Sequence, residues 1–421
     1  MKKLIKKLLK ILTRQVLEKQ WPQVITVTGS VGKTSTKQAI CLVLKGKFSV
    51  RGGAKNYNNE LGVPFAVLGL DSPQKSVIGW LKLLATGLRL ALFKESNYPA
   101  ILVLEIGADK PGDLKYLLEM IPAGLLKVAV LTAVAPAHLE FFGTMEKIFQ
   151  EKISPFFFLT KDGLAIINQD NCDVQKIKEK IHSAVITFGI KQQADIAINN
   201  IQQVESGISF QLKNNGQASD FFLSEGVYFH QIYPLLAAVA VGVFYKMSLE
   251  DISQNLAAYT PPAGRMRRLG GKNKSLIIDD TYNSSPESCK RALEALSTMQ
   301  AKRKIAVLGD MLELGQTSQT FHKAIGQTAA DLKVDYLITY GQMAQFIAES
   351  SQTNGLPQER IFSFSELEKL SDFLKNFIQR GDVLLVKGSQ GMRMEKIVKN
   401  IMAQPEKAKE LLVRQEEEWN P

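Results

Sequence analysis

The sequence predicts an α/β protein built on mostly parallel sheets, with a phosphate-binding central domain and a second α/β domain behind it. Strand-like apolar runs alternate with helical patterns along most of the chain, the order that βαβ units impose. One such run, Val24–Thr28, leads straight into the glycine loop Gly29-Ser30-Val31-Gly32-Lys33-Thr34 and then into a helical pattern. The break at Pro261-Pro262-Ala263-Gly264 interrupts regular structure. It divides the chain of 421 residues, too long for one ordinary core, into residues 23–263 and 264–421, with residues 1–22 set apart by their basic amphipathic pattern.

The other clear strands are Ile101–Glu105, Val128–Ala133, Leu164–Asn168, Leu276–Asp279, Lys304–Leu308, Tyr336–Thr339 and Val383–Val386. Most end in a turn signal before a helical pattern, which places their carboxyl ends where parallel sheets bind ligands. Residues 194–222 alternate polar and apolar without helical period and read as a short antiparallel insertion. The last fifteen or so residues read as a solvated terminal helix.

Residues 1–20 form a basic amphipathic pattern, with seven Lys or Arg against one Glu. It is too short and too charged to span a bilayer, and it lacks the unbroken apolar core of a signal peptide. It suits attachment to an anionic membrane surface or docking on the protein's own body. The apolar stretch Ser76–Phe93, interrupted by Lys82 and Arg89, reads as a packed helix or a second interfacial contact. Much of the formal net charge of +11 belongs to the N-terminus, so the rest of the chain does not call for a nucleic-acid partner. Cys41, Cys172 and Cys289 are widely spaced, which fits three incidental thiols in a reducing cytoplasm rather than a disulfide framework or a zinc site.

Residues 24–36 supply what a phosphate loop needs. Glycines let main-chain N–H groups wrap an anion, and the helix that follows offers its positive end. Lys33 reaches outer phosphates, and the Thr34 hydroxyl can hold Mg²⁺. The loop, with Ser35 beginning the helix, is the short TGxxGKT form, since Val27 stands where the longer pattern has its first glycine. Glu105 ends an apolar run and would deliver a carboxylate to the metal, or else cap a helix beside Gly107. The amide-rich segment with Asn56, Asn58 and Asn59 suits phosphate, ribose or peptide, or a plain turn. His138 and Lys152 alone would be a structural histidine and a surface lysine. Arg265, Arg267 and Arg268 follow the proline break and would clamp a phosphate or remain solvated. Asp279, Asp280, Tyr282 and Asn283 follow a strand, as Lys387 does.

Together, TGSVGKTST, NYNNELGVP, LEIGADKPGDL, APAHLEFFGTMEKIFQEK, GRM at Gly264–Met266, DDTYNSSPES, LGDMLELG and VKGSQGMRME resemble the Mur ligase family, collinearly from about residue 24 to residue 398. The resemblance implies an ATP-binding central domain and a Rossmann-like C-terminal domain. It implies ATP-dependent amide-bond formation through an acyl phosphate, nearest within the family to addition of D-alanyl-D-alanine to a muramoyl-tripeptide for the cell wall. Two Mg²⁺ ions are implied, one on Thr34 and Glu105, the other served by His138 and Lys152, the latter matching the family's carbamylated lysine. Lys33 would contact the terminal phosphates along with Arg265, and Asp280, Tyr282 and Asn283 would face the nucleotide. Asn56, Asn58, Asn59 and Lys387 are expected at the substrate. The phosphate loop begins near residue 29, leaving no room for the family's N-terminal UDP-binding domain, so a lipid-linked or undecorated acceptor is an alternative, as is a polyglutamate-type one. A nucleotide-dependent, membrane-recruited binding module without ligation is a further alternative. The Asn-Lys-x-Asp of a guanine-specific switch is absent. The expectation is a cytoplasmic monomer, peripheral at the inner face of the membrane.

Overall fold

The computed structural model describes the chain except residues 1, 54–56, 137, 192, 205–206, 215–216, 225–230, 417–418 and 420–421. Its contacts divide into two compact units. The first holds Met1–Ala135, Phe141–Val227 and Gln231–Tyr259; the second holds Pro136–Glu140 and Thr260–Pro421.

Among the described residues the first unit is a nine-stranded sheet. Its strands are β1 (Gln23–Thr28), β2 (Val50–Gly52), β3 (Ile101–Glu105), β4 (Leu126–Leu131), β5 (Leu164–Asn168), β6 (Ala184–Gly189), β7 (Ile196–Val204), β8 (Gly207–Asn214) and β9 (Gln217–Ser224). Their order is β2-β3-β1-β4-β5-β6-β7-β8-β9, parallel from β2 through β7. β1, β3 and β4 are buried almost throughout, as strands covered on both faces must be. The phosphate loop leaves β1 between β3 and β4, and α2 (Lys33–Lys45) packs back on the sheet beside the wholly apolar helix Ile232–Phe244. Such an all-round apolar helix must be buried, and Ile25, Val27, Val103 and Val130 share its core.

Residues 194–222, read as a short antiparallel insertion, do form antiparallel strands, and these also extend the main sheet. β7 joins β6 in parallel at Phe188↔Ile196, and β7–β8–β9 run antiparallel. The alternating pattern turns Ile198, Phe210, Leu212 and Phe221 toward the same core that the parallel strands use, which is why the segment joins rather than protrudes.

Near the N-terminus, α1 (Lys2–Gln20) packs along α3 (Gly62–Leu68) and α4 (Val77–Leu92). Leu9, Leu12, Val16 and Leu17 are buried, so most of the apolar face of α1 lies on the protein itself. α5 (Asp113–Leu118) and α7 (Met145–Ile153), separated in sequence by the short helix α6 (Leu139–Phe142), complete the elements that matter for the site.

The second unit is a six-stranded sheet of β10 (Arg267–Gly270), β11 (Leu276–Asp280), β12 (Arg303–Gly309), β13 (Tyr336–Tyr340), β14 (Ile361–Phe364) and β15 (Asp382–Lys387). The order is β10-β11-β15-β12-β13-β14, parallel except for the antiparallel edge strand β10. Successive residues feed opposite faces: Ile277, Val307 and Leu384 enter one apolar cluster, while Ile278, Leu308 and Leu385 enter the other. Among its described residues the terminal segment is not a solvated helix. The α-helical stretch there is Ala408–Leu411, Leu412 is buried, and the buried Arg414 reaches back to Thr281, just past the end of β11. Its planar fork meets carbonyls that the end of that strand leaves without ladder partners.

Candidate active site

Gly29 and Gly32 hold φ of 139° and 84°, which L side chains rarely adopt. A Cβ on Gly29 would collide with Thr132 Oγ1 and lie 2.9 Å from Ala133 N, so only glycine fits. The carbonyl side of the loop is tied down. Thr132 Oγ1 donates to Val31 O at 2.5 Å, and Lys33 Nζ donates to Gly29 O at 2.8 Å. Ser30 Oγ donates to Ala135 O at 2.8 Å and accepts from Ala135 N at 3.0 Å. Residues 31–33 thus turn into the N-terminus of α2, where the partial positive charge of the helix favours an anion.

Behind the loop, β3 delivers Glu105, 2% exposed, to this end of the sheet. Thr34 Oγ1 donates to Glu105 Oε2 at 2.8 Å, and Asn58 Nδ2 donates to Glu105 Oε1 at 3.3 Å. A hydroxyl and a carboxylate side by side are the hard oxygen donors that Mg²⁺ takes, with waters and substrate phosphates filling the other positions. Among the described residues no group of three His, Cys, Asp or Glu gathers for a metal. Lys37, one turn beyond Lys33, is a partner that the sequence reading missed. Its buried Nζ lies 3.9 Å from Glu105 Oε2 and donates to Gly53 O at 2.6 Å. Its spacing of four from Lys33, on the same helix face, was the available signal.

Lys152, expected on sequence physics to be a surface residue, is 3% exposed near the end of α7. Burial, and then the neighbouring Lys33 cation, depress its pKa to about 7. The adjacent Glu151 turns away and accepts from Gly112 N at 2.9 Å and Leu114 N at 2.7 Å, capping α5. Asn59 is likewise engaged: its Oδ1 accepts from Gly62 N at 2.9 Å and caps α3. Ser35 is buried in the first turn of α2, and Asn56 lies outside the described residues.

Beside Asn58, Asn59 and Gly107 opens a cavity of about 940 Å³ whose opposite wall is α1. Lys6 pairs with Glu60, and Lys10 pairs with Glu119 at 2.7 Å, fixing that wall. Lys3, Lys7 and Lys110 add further cations to the lining.

In the second unit, His138 Nδ1 lies 2.6 Å from Glu313 Oε2, and this contact holds the Glu313 carboxyl below its ordinary pKa. At the carboxyl end of β11, Asp280 Oδ2 accepts from Lys387 Nζ at 2.6 Å and Oδ1 accepts from Met266 N at 3.1 Å. Lys387 also donates to Asn283 O at 2.9 Å and is 2% exposed, so the expected substrate lysine is occupied as a clamp inside its own unit. The Arg265 guanidinium stacks 4.0 Å from the Tyr282 ring centroid. Arg414, unmarked by any motif, donates to Thr281 O at 2.5 Å, Tyr282 O at 3.0 Å and Glu395 Oε2 at 2.9 Å.

A phosphate loop feeding a buried carboxylate, on a parallel sheet followed by a second α/β unit, defines a nucleotide-dependent enzyme. Residues 82–242 match the Mur ligase middle domain, and residues 264–390 match the Mur ligase, glutamate ligase domain. The UDP-N-acetylmuramoyl-tripeptide–D-alanyl-D-alanine ligase of Bacillus subtilis strain 168 is 29% identical over 396 residues, covering 94% of this chain and 79% of that protein. The crystal structure of MurF from Acinetobacter baumannii superposes with a TM-score of 0.78 at 26% identity, over 93% of this chain and 79% of the other. That of MurF ligase from Thermotoga maritima in complex with ADP gives 0.76 at 26% identity, over 96% and 84%. The chain belongs to the Mur ligase family of ATP-dependent, ADP-forming ligases.

Proposed function

We propose that this ligase joins the terminal carboxylate of a UDP-N-acetylmuramoyl-tripeptide to the amine of D-alanyl-D-alanine, making a peptidoglycan precursor. The observation that carries the reading is the glycine loop at the N-terminus of α2 with Thr34 and Glu105 2.8 Å apart beside it. The relatives named above supply the substrate pair.

A carboxylate is a poor electrophile until its oxygen is phosphorylated. The acceptor carboxylate attacks the γ-phosphorus of ATP, the bond to the β–γ bridging oxygen breaks, and ADP leaves. The amine then attacks the acyl carbon, phosphate departs with the C–O electron pair, and the ammonium proton is lost to solvent. Both anions must first be brought together, and the loop amides, Lys33 and the positive end of α2 offset their repulsion. Magnesium, held by Thr34 and Glu105, would neutralise further charge on the phosphates. Lys152 is proposed to react as its neutral amine with carbon dioxide: the nitrogen lone pair forms the N–C bond, one N–H proton is released to solvent, and the resulting anionic carbamate would offer oxygens to a second magnesium. Its burial close to the Lys33 cation supports this, because the modification replaces like charges with opposite ones. The roles of His138 and Arg265 rest on the family resemblance.

The acceptor side is supported by the cavity beside Asn58, whose cationic wall suits an acceptor bearing a diphosphate. The functional domains are taken as residues 23–263 and 264–421, with residues 1–22 apart. The chain is proposed to act as a monomer in the cytoplasm, with residues 1–20 contributing to contact with the inner face of the membrane. Mass spectrometry after incubation with ATP, Mg²⁺, the UDP-linked tripeptide and D-alanyl-D-alanine should show the pentapeptide product, with ADP release dependent on both substrates. Coupling of a different acceptor or amine, and none of this pair, would sink the substrate assignment. Nucleotide binding with no coupling of any pair would sink the ligase reading.

A further inference from the structure

The apolar pattern of α4 faces the wrong way for a helix of a globular body. Its inner face is small: Leu83, Gly87 and Leu90 are buried, and Leu12 of α1 lies so close to Gly87 that a Cβ there would come within 2.5 Å of it. Its outer face is large. Val77 is 72% exposed, Ile78 79%, Leu81 62%, Leu88 55% and Leu92 56%, and Phe93 just beyond the helix is 64% exposed. The spacing of Ile78, Leu81, Leu88 and Leu92 puts them on one stripe of a 16-residue helix about 24 Å long. The helix is not loose. The Ser76 hydroxyl caps its start by accepting from Gly79 N at 3.0 Å, and Gln20 at the end of α1 donates to Leu90 O and Phe93 O, both at 2.6 Å.

The charges within the helix have one sign. α4 contains Lys82 and Arg89 and no acid, and Lys75 and Lys94 lie just before and after it. Glu95, the nearest acid in sequence, is paired with Arg89 at 3.1 Å. The start of α1 continues the composition, with exposed Leu4 and Leu8 directly following Lys3 and Lys7. A flat apolar stripe with cations at its flanks matches the boundary of a bilayer, where acyl chains lie beneath anionic headgroups. Monomeric soluble proteins rarely leave a continuous apolar face of this kind uncovered. Among the described residues no helix is long and apolar enough to cross a membrane, so the contact would lie in the plane of the surface.

We propose that the outer face of α4, extended by the exposed start of α1, is a docking surface for an anionic lipid bilayer. This refines the membrane contact assigned above to residues 1–20: α1 is chiefly a clamp, and α4 carries the apolar load. The inference does not depend on which substrates are coupled. The test is co-sedimentation of the full chain with vesicles of phosphatidylcholine alone or mixed with phosphatidylglycerol. Binding to the mixed vesicles should exceed binding to pure phosphatidylcholine by about tenfold or more and weaken as salt rises. Leu81→Gln with Leu88→Gln should lower binding to the mixed vesicles by about tenfold. Lys75→Glu with Lys82→Glu should abolish the preference for the anionic lipid. These residues lie outside the catalytic machinery, so ADP release with soluble substrates should be unchanged in both variants, which separates this proposal from the ligase reading. No binding, equal binding to both vesicles, or wild-type dimers that the Leu81/Leu88 variant dissolves in sedimentation velocity would overturn it, the last by assigning the face to a second copy of the chain.

Discussion

Each unit places a carboxylate and a lysine at the carboxyl end of its parallel sheet, and the two pairs do different things. In the first unit Glu105 stands 3.9 Å from Lys37 and receives the Thr34 hydroxyl and the Asn58 amide, beside a glycine loop whose carbonyls are tied back. In the second, Asp280 and Lys387 close to 2.6 Å, Lys387 also holds Asn283 O, and Asp279 next door accepts from Gly264 N and Thr281 Oγ1. A hydroxyl bonded to a carboxylate can be parted by a hydrated cation. A close, buried ion pair resists being parted, because separating its members leaves a charge without solvent or partner. The strand-end rule therefore finds polar clusters. Whether a cluster meets a ligand depends on whether the nearby backbone leaves a cradle for an anion.

The contrast can be broken by substitution. The largest effect is expected from Lys33→Ala, which should lower kcat for substrate-dependent ADP release by about 10²- to 10³-fold while leaving the unfolding midpoint nearly unchanged. A variant keeping most of its activity would remove the first cluster from the chemistry. Lys387→Met should instead cost about 3–5 kcal/mol in urea unfolding, because Asp280 loses its cation, and Lys387→Met with Asp280→Leu should recover much of it. Lost activity at unchanged stability would make the second cluster a ligand site and erase the distinction. Gly29→Ala should cost about 1–3 kcal/mol through the positive φ it must adopt. It should also abolish nucleotide binding by calorimetry, and retained binding would show that the cradle does not need this geometry.

The smallest effect concerns pH. Burial raises the pKa of Asp279 from 3.8 to about 6, against the pull of its hydrogen bonds from Thr281 and Gly264. Between those values the folded state keeps a proton that the unfolded chain has lost, so this group's contribution to stability falls as pH rises through the window. Its slope cannot exceed about 1.4 kcal/mol per pH unit. Asp279→Asn should flatten that part of the urea-derived profile, and an unchanged slope would assign it to other groups.

The phosphate loop was readable because every part of it is contiguous: strand, glycines, lysine, threonine and helix fall within residues 24–45. Glu105 was readable because an apolar run ending in an acid fixes where that acid emerges. Lys37 was not read, since only β3 shows that its helix face meets a carboxylate. Arg414 was misread with its whole segment, because its partners Thr281 and Glu395 are distant in the chain. Lys152 was matched by resemblance, but its burial, the property that depresses its pKa, could not be seen locally.

By itself the sequence determined the alternation of strands and helices and the phosphate loop. These follow from side-chain period and backbone freedom, which act within a few residues. Tertiary structure decided which charges pair, that residues 196–224 extend the main sheet, that α1 clamps the body and that α4 turns its apolar stripe outward. Burial and ion pairing depend on what arrives from elsewhere in the chain, and an apolar stripe is compatible with a core or with a surface until the neighbouring elements are in place.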